Sequence, residues 1–370
     1  MSYQDVYVNL FAPRLTLTRG EGVYLFDDEG KKYLDLLAGI ATSSLGYGHP
    51  AHREALKQAT QLIHTSNLFT THPQIDLAAK LSSLYELEAG QSGRVFLCNS
   101  GTEANEAALK LAMLHKPGGT ILGLEGGFHG RSLGALSVTW KPELRAGFEQ
   151  IPNTGFIAPE IADIDKIDSS VAAVIVEPIQ GEVGVQPLPE GFLPALREAC
   201  DRAGALLIVD EVQTGMGRCG RWFAHTEQVV ADVITLAKGL GGGYPIGAVI
   251  ATGRAADLFT PGSHGTTFGG NPLGAQMALA TIEVLGTLLQ SVVTTGEYLR
   301  ERLMNTGYAV RGSGLLLGVE VDDAPGMQAS LQEAGFLVNA TGADTLRLAP
   351  PLIVTDEDLA PFADHLETMP

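Results

Sequence analysis

The sequence predicts an α/β fold, a mostly parallel sheet layered with helices, and three observations carry that prediction. Continuous apolar runs recur at "RVFLCN" (94–99), "TILGLE" (120–125), "AAVIVEP" (172–178), "ALLIVDEV" (205–212), "DVITLAK" (232–238) and "IGAVIAT" (246–252). Runs without polar alternation suit strands covered on both faces. Between them lie helix-like stretches such as "TEANEAALKLAML" (102–114) and "PEGFLPALREACDRAG" (189–204). Strand and helix patterns in alternation point to layered α/β architecture over residues 50–270. Outside that span the patterning changes. "GVYLFDDEGKKYLDLLAG" (22–39) reads as a hairpin turning at Asp-Glu-Gly, so residues 1–49 are taken as an arm and small sheet belonging to a small domain. Residues 271–370, with a strand pattern at "GLLLGVEV" (314–321) and helices near 326–335 and 356–368, complete that smaller α+β unit.

Composition narrows the function classes. The 370 residues are 45% hydrophobic and 18% charged, which fits a globular chain with a sizeable core. A formal net charge of -18 disfavours nucleic acid and anionic membranes as partners. Cys98, Cys200 and Cys219 form no C-x-x-C pair, so neither a disulfide framework nor a metal site is expected. No apolar run approaches the ~20 residues of a membrane span, and "MSYQDVYVNLF" does not read as a secretion signal. A cytoplasmic protein is expected.

Three stretches carry chemistry. In "CNSGTEANEAALKLA" (98–112) a strand ends in Ser-Gly-Thr and opens a helix, so the unpaired N–H groups there suit an anion. The same residues also read as a capping box from Ser100 to Glu103. In "IVDEVQTGMGR" (208–218) Asp210 ends a buried run, where open α/β sheets place ligands, although an ordinary turn cap has the same appearance. In "DVITLAKGLGGGYPIG" (232–247) Lys238 is the only lysine after Lys166, in a span that otherwise uses arginine for positive charge. Of the two cations only lysine offers a primary amine able to form a Schiff base. The glycines after it are no dinucleotide fingerprint, because the residues that follow read as a strand, and no P-loop is present.

A phosphate cradle, an acid at one strand end and a lysine at another are the anchors of pyridoxal phosphate. With the long blocks "LDLLAGIATSSLGYGHP" and "LRLAPPLIVTDEDL", the chain resembles the class-III (ornithine/acetylornithine) aminotransferase family of fold-type I pyridoxal-phosphate enzymes over nearly its whole length. The resemblance implies that Lys238 holds the cofactor covalently and later moves the substrate proton, and that Asp210 pairs with the pyridine nitrogen. It implies Val212 and Phe128 against the ring, Gln213 at the phenolic oxygen, and Ser100, Gly101 and Thr102 at the phosphate. Thr267 would reach the phosphate of a neighbouring subunit, with Thr266 near the substrate, which implies a homodimer. Arg131, in "GGFHGRSLGALSVT", would take a substrate carboxylate as a bidentate fork. Glu182 and Arg347 match a pair in which the acid neutralises the arginine when the substrate has only one carboxylate.

Within the family, "DEVQTG" separates the chain from semialdehyde aminomutases, which carry methionine where Gln213 stands. Ornithine-specific relatives place a tyrosine where this chain has Ile40, and "HTSNLF" resembles the acetylornithine subgroup. The activity implied is transfer of the distal amine of N2-acetylornithine to 2-oxoglutarate, giving glutamate, in arginine biosynthesis. Succinyl-diaminopimelate, ornithine, GABA or a carrier-bound lysine precursor stand as alternative donors, and a non-catalytic cofactor-binding regulator as the alternative of another class.

Overall fold

In the computed structural model, residues 6–8, 10 and 13–369 are described. The centre is a seven-stranded sheet whose strands are β1 (Gly93–Cys98), β2 (Thr120–Leu124), β3 (Thr154–Ile157), β4 (Val171–Val176), β5 (Leu206–Asp210), β6 (Val233–Leu236) and β7 (Gly247–Thr252). In space they lie in the order β1-β7-β6-β5-β4-β2-β3. All neighbours pair in parallel except β7, which runs antiparallel to both β6 and β1. Every residue of β4, β5, β6 and β7 is buried, which is why these strands read as unbroken apolar runs. The six expected strands are present; β3, the short edge strand "TGFI", carries too few apolar residues to stand out.

Helices close the sheet faces. Gly101–His115 lays Ala104, Ala107, Ala108 and Ala112 against the strands, and these small side chains allow close approach. Phe192–Ala203 buries Phe192, Leu193, Leu196, Ala199 and Cys200 along one stripe. It stops at Gly204, whose φ of 64° gives the left-handed cap that an L-residue adopts only with strain.

The strands Leu17–Glu21, Tyr24–Asp27 and Lys32–Asp35 form an antiparallel meander joined in parallel by Phe336–Leu337, so residues from both ends of the chain share one sheet. Its second turn follows the Asp-Glu-Gly signal: Asp27 Oδ1 accepts from the N–H of Glu29 and of Lys31 at 3.1 and 2.8 Å, and Gly30 has a φ of 84°. The pattern read as a hairpin through residue 39 ends sooner. Asp35 accepts from the N–H of Leu37 and Ala38, and Ala38, Gly39, Ile40 and Ala41 then all take positive φ, winding one left-handed turn. Such a turn is costly for L-residues. Its effect is to turn Ile40 into the cleft described below.

A second small sheet contains Val310–Ser313, Leu316–Glu320, Thr345–Leu348 and Asn339–Ala340. Helix Pro272–Leu285 packs against helices Pro50–Ala59 and His72–Ala89. Cys98, Cys200 and Cys219 are buried and unpaired. No single helix among the described residues is long and apolar enough to cross a membrane.

Candidate active site

The carboxyl ends of β2, β4, β5 and β6 open on one cavity of about 390 Å³, within the range of small-molecule sites. The loop after β1 brings Ser100, Gly101 and Thr102; the loop after β2 brings Phe128 and His129; β4 delivers Glu177; β5 delivers Asp210, Val212 and Gln213; β6 delivers Lys238. Residues 99–102, 128–130, 177, 210, 212, 213, 237, 238 and 243–246 thus converge from segments far apart in sequence.

At one end lies the first turn of helix Gly101–His115. Both readings of this stretch coexist. Ser100 caps the helix by accepting from the Glu103 N–H at 3.3 Å and donates to the Glu103 carboxylate at 3.0 Å. The Gly101 and Thr102 N–H groups have no intrahelical acceptor and belong to the positive end of the helix dipole. Gly101 is required by proximity: a Cβ there would sit 2.7 Å from Val212 Cγ1. The Thr102 hydroxyl is already bonded to Ser132 at 2.6 Å.

Asp210, only 3% exposed, is held by three donors. His129 Nδ1 and Asn105 Nδ2 each lie 2.8 Å from Oδ2, and the Val212 N–H lies 2.9 Å from Oδ1. A carboxylate has about four acceptor positions, so one remains for a donor inside the cavity. Burial opposes a charge on His129, but the Asp210 hydrogen bond and charge outweigh it and raise its pKa.

Lys238 follows β6 with a φ of 41°, a strained conformation of the kind found where function dictates geometry. Burial lowers its pKa, opposed by the nearby Glu182 and reinforced by Arg347. Its side chain lines the first cavity and a second one of about 660 Å³ that adjoins it.

That second cavity is bordered by Ile40, Phe128, Arg131, Trp140, Glu182 and Val183. Arg347, 1% exposed in strand Thr345–Leu348, reaches Glu182 Oε1 at 2.5 Å and the Gln213 and Gly181 carbonyl oxygens at 3.3 and 3.2 Å. It also donates to Asn339 Oδ1 at 2.6 Å. Burial alone would raise the Glu182 pKa, but the Arg347 charge and hydrogen bond hold it below the ordinary range. Gly181 is needed here, since a Cβ would come within 1.8 Å of Gln213 Oε1.

Of the residues expected from sequence, all but three border these two cavities. Arg347 stands behind Glu182. Thr266 and Thr267 lie outside both linings: the Thr266 hydroxyl accepts from Asn99 and donates to Glu103, each at 3.1 Å, while Thr267 is exposed beside Phe268. Sequence reasoning overlooked Asn105, His129 and Glu177. Asn105 was detectable as a polar residue on the alanine stripe of its helix, and Glu177 as an acid directly after a wholly apolar strand.

The donor set fits pyridoxal phosphate: free helix N–H groups for a dianion, a fixed carboxylate with one vacant acceptor position for a ring N–H, apolar side chains, and an amine of lowered pKa. A family model for aminotransferase class-III matches residues 6–369. The acetylornithine aminotransferase of Corynebacterium efficiens is 47% identical over 97% of this chain and 93% of its own. An ornithine aminotransferase from Toxoplasma gondii superposes with a TM-score of 0.92 at 31% identity, covering 99% of this chain and 91% of that one, and has PLP at partial occupancy in its active site. The N-acetylornithine aminotransferase of Stenotrophomonas maltophilia gives a TM-score of 0.83 at 34% identity, covering 96% of this chain and 95% of that one.

Proposed function

Because the chain belongs to the class-III aminotransferase family, we propose that it moves the distal amino group of N2-acetylornithine to 2-oxoglutarate in arginine biosynthesis, as a cytoplasmic homodimer. Its cofactor is pyridoxal 5′-phosphate, which when bound supplies a carbonyl for the amino group and a ring that withdraws electrons. The Gly101 and Thr102 N–H groups hold the phosphate, Val212 and Phe128 confine the ring, and Gln213 attends the phenolic oxygen. Asp210 accepts from the ring nitrogen, and His129 and Asn105 keep its carboxylate aimed. Lys238 would hold the cofactor through its amine. Its Nζ, buried and of lowered pKa, would take the proton from the substrate carbon that bears the reacting amine.

The observation that carries the substrate assignment is the Glu182–Arg347 pair standing beside Lys238, with Arg131 on the far cavity. Glutamate presents two carboxylates, one for each arginine. Acetylornithine reacts at its distal end and presents one, to Arg131, so Glu182 keeps Arg347 neutralised and no bare charge is buried. Ile40 supplies an apolar wall, which accommodates an acylated nitrogen and offers nothing to a free ammonium.

Homodimer formation is supported by the exposed apolar side chains Leu68 (88%), Phe69 (66%) and Phe268 (59%) flanking the Asn67–Thr266 hydrogen bond. The deciding experiment is a single-turnover panel with acetylornithine, ornithine, succinyl-diaminopimelate and GABA. Acetylornithine reacts fastest; a preference for unacylated ornithine overturns the Ile40 argument.

A further inference from the structure

Glu177 has no part in the chemistry above, yet it lies in the same cavity as Asp210, His129 and Lys238. It directly follows β4, and β4 pairs with β5 so that Val176 lies opposite Val209. Glu177 and Asp210 therefore end neighbouring strands at the same level, two buried carboxyl groups side by side. Asp210 has three donors, one of them an imidazole. Glu177 has one, the Phe128 N–H, 2.9 Å from Oε2. No arginine or lysine forms an ion pair with it among the described residues.

The charges around Lys238 pair off unevenly. The groups facing Glu177 are His129 from the loop after β2, Asp210 from β5 and Lys238 from β6. Asp210 is matched by His129, and Glu182 by Arg347. A charged Glu177 would be the one unmatched carboxylate in the group, and buried unmatched charge is expensive. It would also draw a proton onto the Lys238 amine, which must be neutral to accept one from substrate.

We propose that Glu177 is a positioning residue that works as a neutral acid: its Oε2 anchors the Phe128 backbone, and hence the ring that borders the cofactor, while its proton keeps the surroundings of Lys238 free of unmatched negative charge. Burial, with the neighbouring Asp210 charge, pushes the Glu177 carboxyl up to about 7 against the opposing pull of His129, in keeping with that assignment. Three strand ends thus carry three different protonation duties: a fixed carboxylate on β5, an uncharged amine on β6 and an uncharged carboxyl on β4. The inference rests on the cofactor reading of the cavity, though not on which amino donor is used.

The test compares E177Q and E177L with wild-type holoenzyme. Glutamine keeps the acceptor and the neutrality; leucine keeps only bulk. The cofactor dissociation constant should change by less than about threefold in E177Q and rise by about tenfold or more in E177L, the scale expected for a lost buried acceptor. Infrared difference spectra of holoenzyme between about pH 6 and about pH 9 should show a protonated carboxyl converting to carboxylate, and E177Q should lack that signal. Equal weakening in E177Q and E177L, or a carboxyl signal that survives E177Q, overturns the proposal. Should E177L fail to fold, the infrared comparison with E177Q decides alone. Failure of wild-type to bind cofactor would instead strike at the function proposed above.

Discussion

The Glu182–Arg347 pair makes a directional prediction about two half-reactions of one active site. Glu182→Gln keeps side-chain volume and an acceptor oxygen but removes the charge facing Arg347, which is 1% exposed. Glutamine still accepts from the charged guanidinium, so what is lost is the counter-charge of a buried cation, at a cost on the order of 1–2 kcal/mol. Glu182 is 36% exposed, and solvent screening moves the effect toward the lower end of that range. With acetylornithine as donor, Arg347 finds no substrate carboxylate and carries this cost, so single-turnover reduction of the cofactor band should slow by about 5- to 10-fold. With glutamate, the substrate's own carboxylate replaces Glu182 at Arg347, and the rate should hold or rise. The assay is rapid-mixing absorbance of E182Q holoenzyme with each donor at saturation. Equal losses with both donors would refute the reasoning, because they would mean Glu182 acts on something other than the charge of Arg347.

Other perturbations follow from the same geometry. Lys238→Ala should preserve the thermal midpoint to within a few degrees and reduce turnover on the order of a thousandfold or more; appreciable residual turnover would remove Lys238 from its role. Gly101→Ala should weaken cofactor affinity about tenfold in equilibrium dialysis, because its Cβ would press on Val212 at 2.7 Å; an unchanged affinity would show that the helix turn moves freely. The pH dependence of stability should carry the mark of Glu177. Its folded pKa is raised from 4.5 to about 7, so its contribution is full below about 4.5 and lost as pH rises through about 7. Glu177→Gln should therefore gain on wild-type by on the order of 3 kcal/mol between acid and alkaline conditions, read from denaturant midpoints of the cofactor-free chains. Parallel pH profiles would contradict it.

Much of this architecture was legible because buried parallel strands leave no room for polar side chains. The runs at 94–99, 120–125, 172–178, 205–212, 232–238 and 246–252 correspond to β1, β2, β4, β5, β6 and β7. Strand direction was not legible: "IGAVIAT" is apolar throughout whether it runs with its neighbours or against them, and β7 runs against. The left-handed turn at 38–41 was hidden because Ile40 and Ala41 are poor residues for that conformation, and the local bonds from the Leu37 and Ala38 N–H groups to the Asp35 carboxyl that hold its start resemble an ordinary turn cap. Lys238, Asp210 and Gly101 stood out because each interrupts an apolar or helical pattern at a strand end. Glu177 interrupts one too, but nothing in a linear pattern tells that its strand lies next to that of Asp210.

The reversal of β7 has a consequence for how this enzyme spends its chain. A parallel successor to β6 would have carried the backbone away from the cleft through a crossover helix and back to the opposite rim. Instead the chain turns round where it stands. Residues 237–246 leave β6 and enter β7 on the same rim, and Ala237, Lys238, Gly243, Tyr244, Pro245 and Ile246 all border the cavity. Lys238 is thereby anchored by strands on both sides of a ten-residue loop, with no long excursion to loosen it. Lengthening that loop should disturb the Lys238 amine more than an equal insertion in any crossover connection of the same sheet.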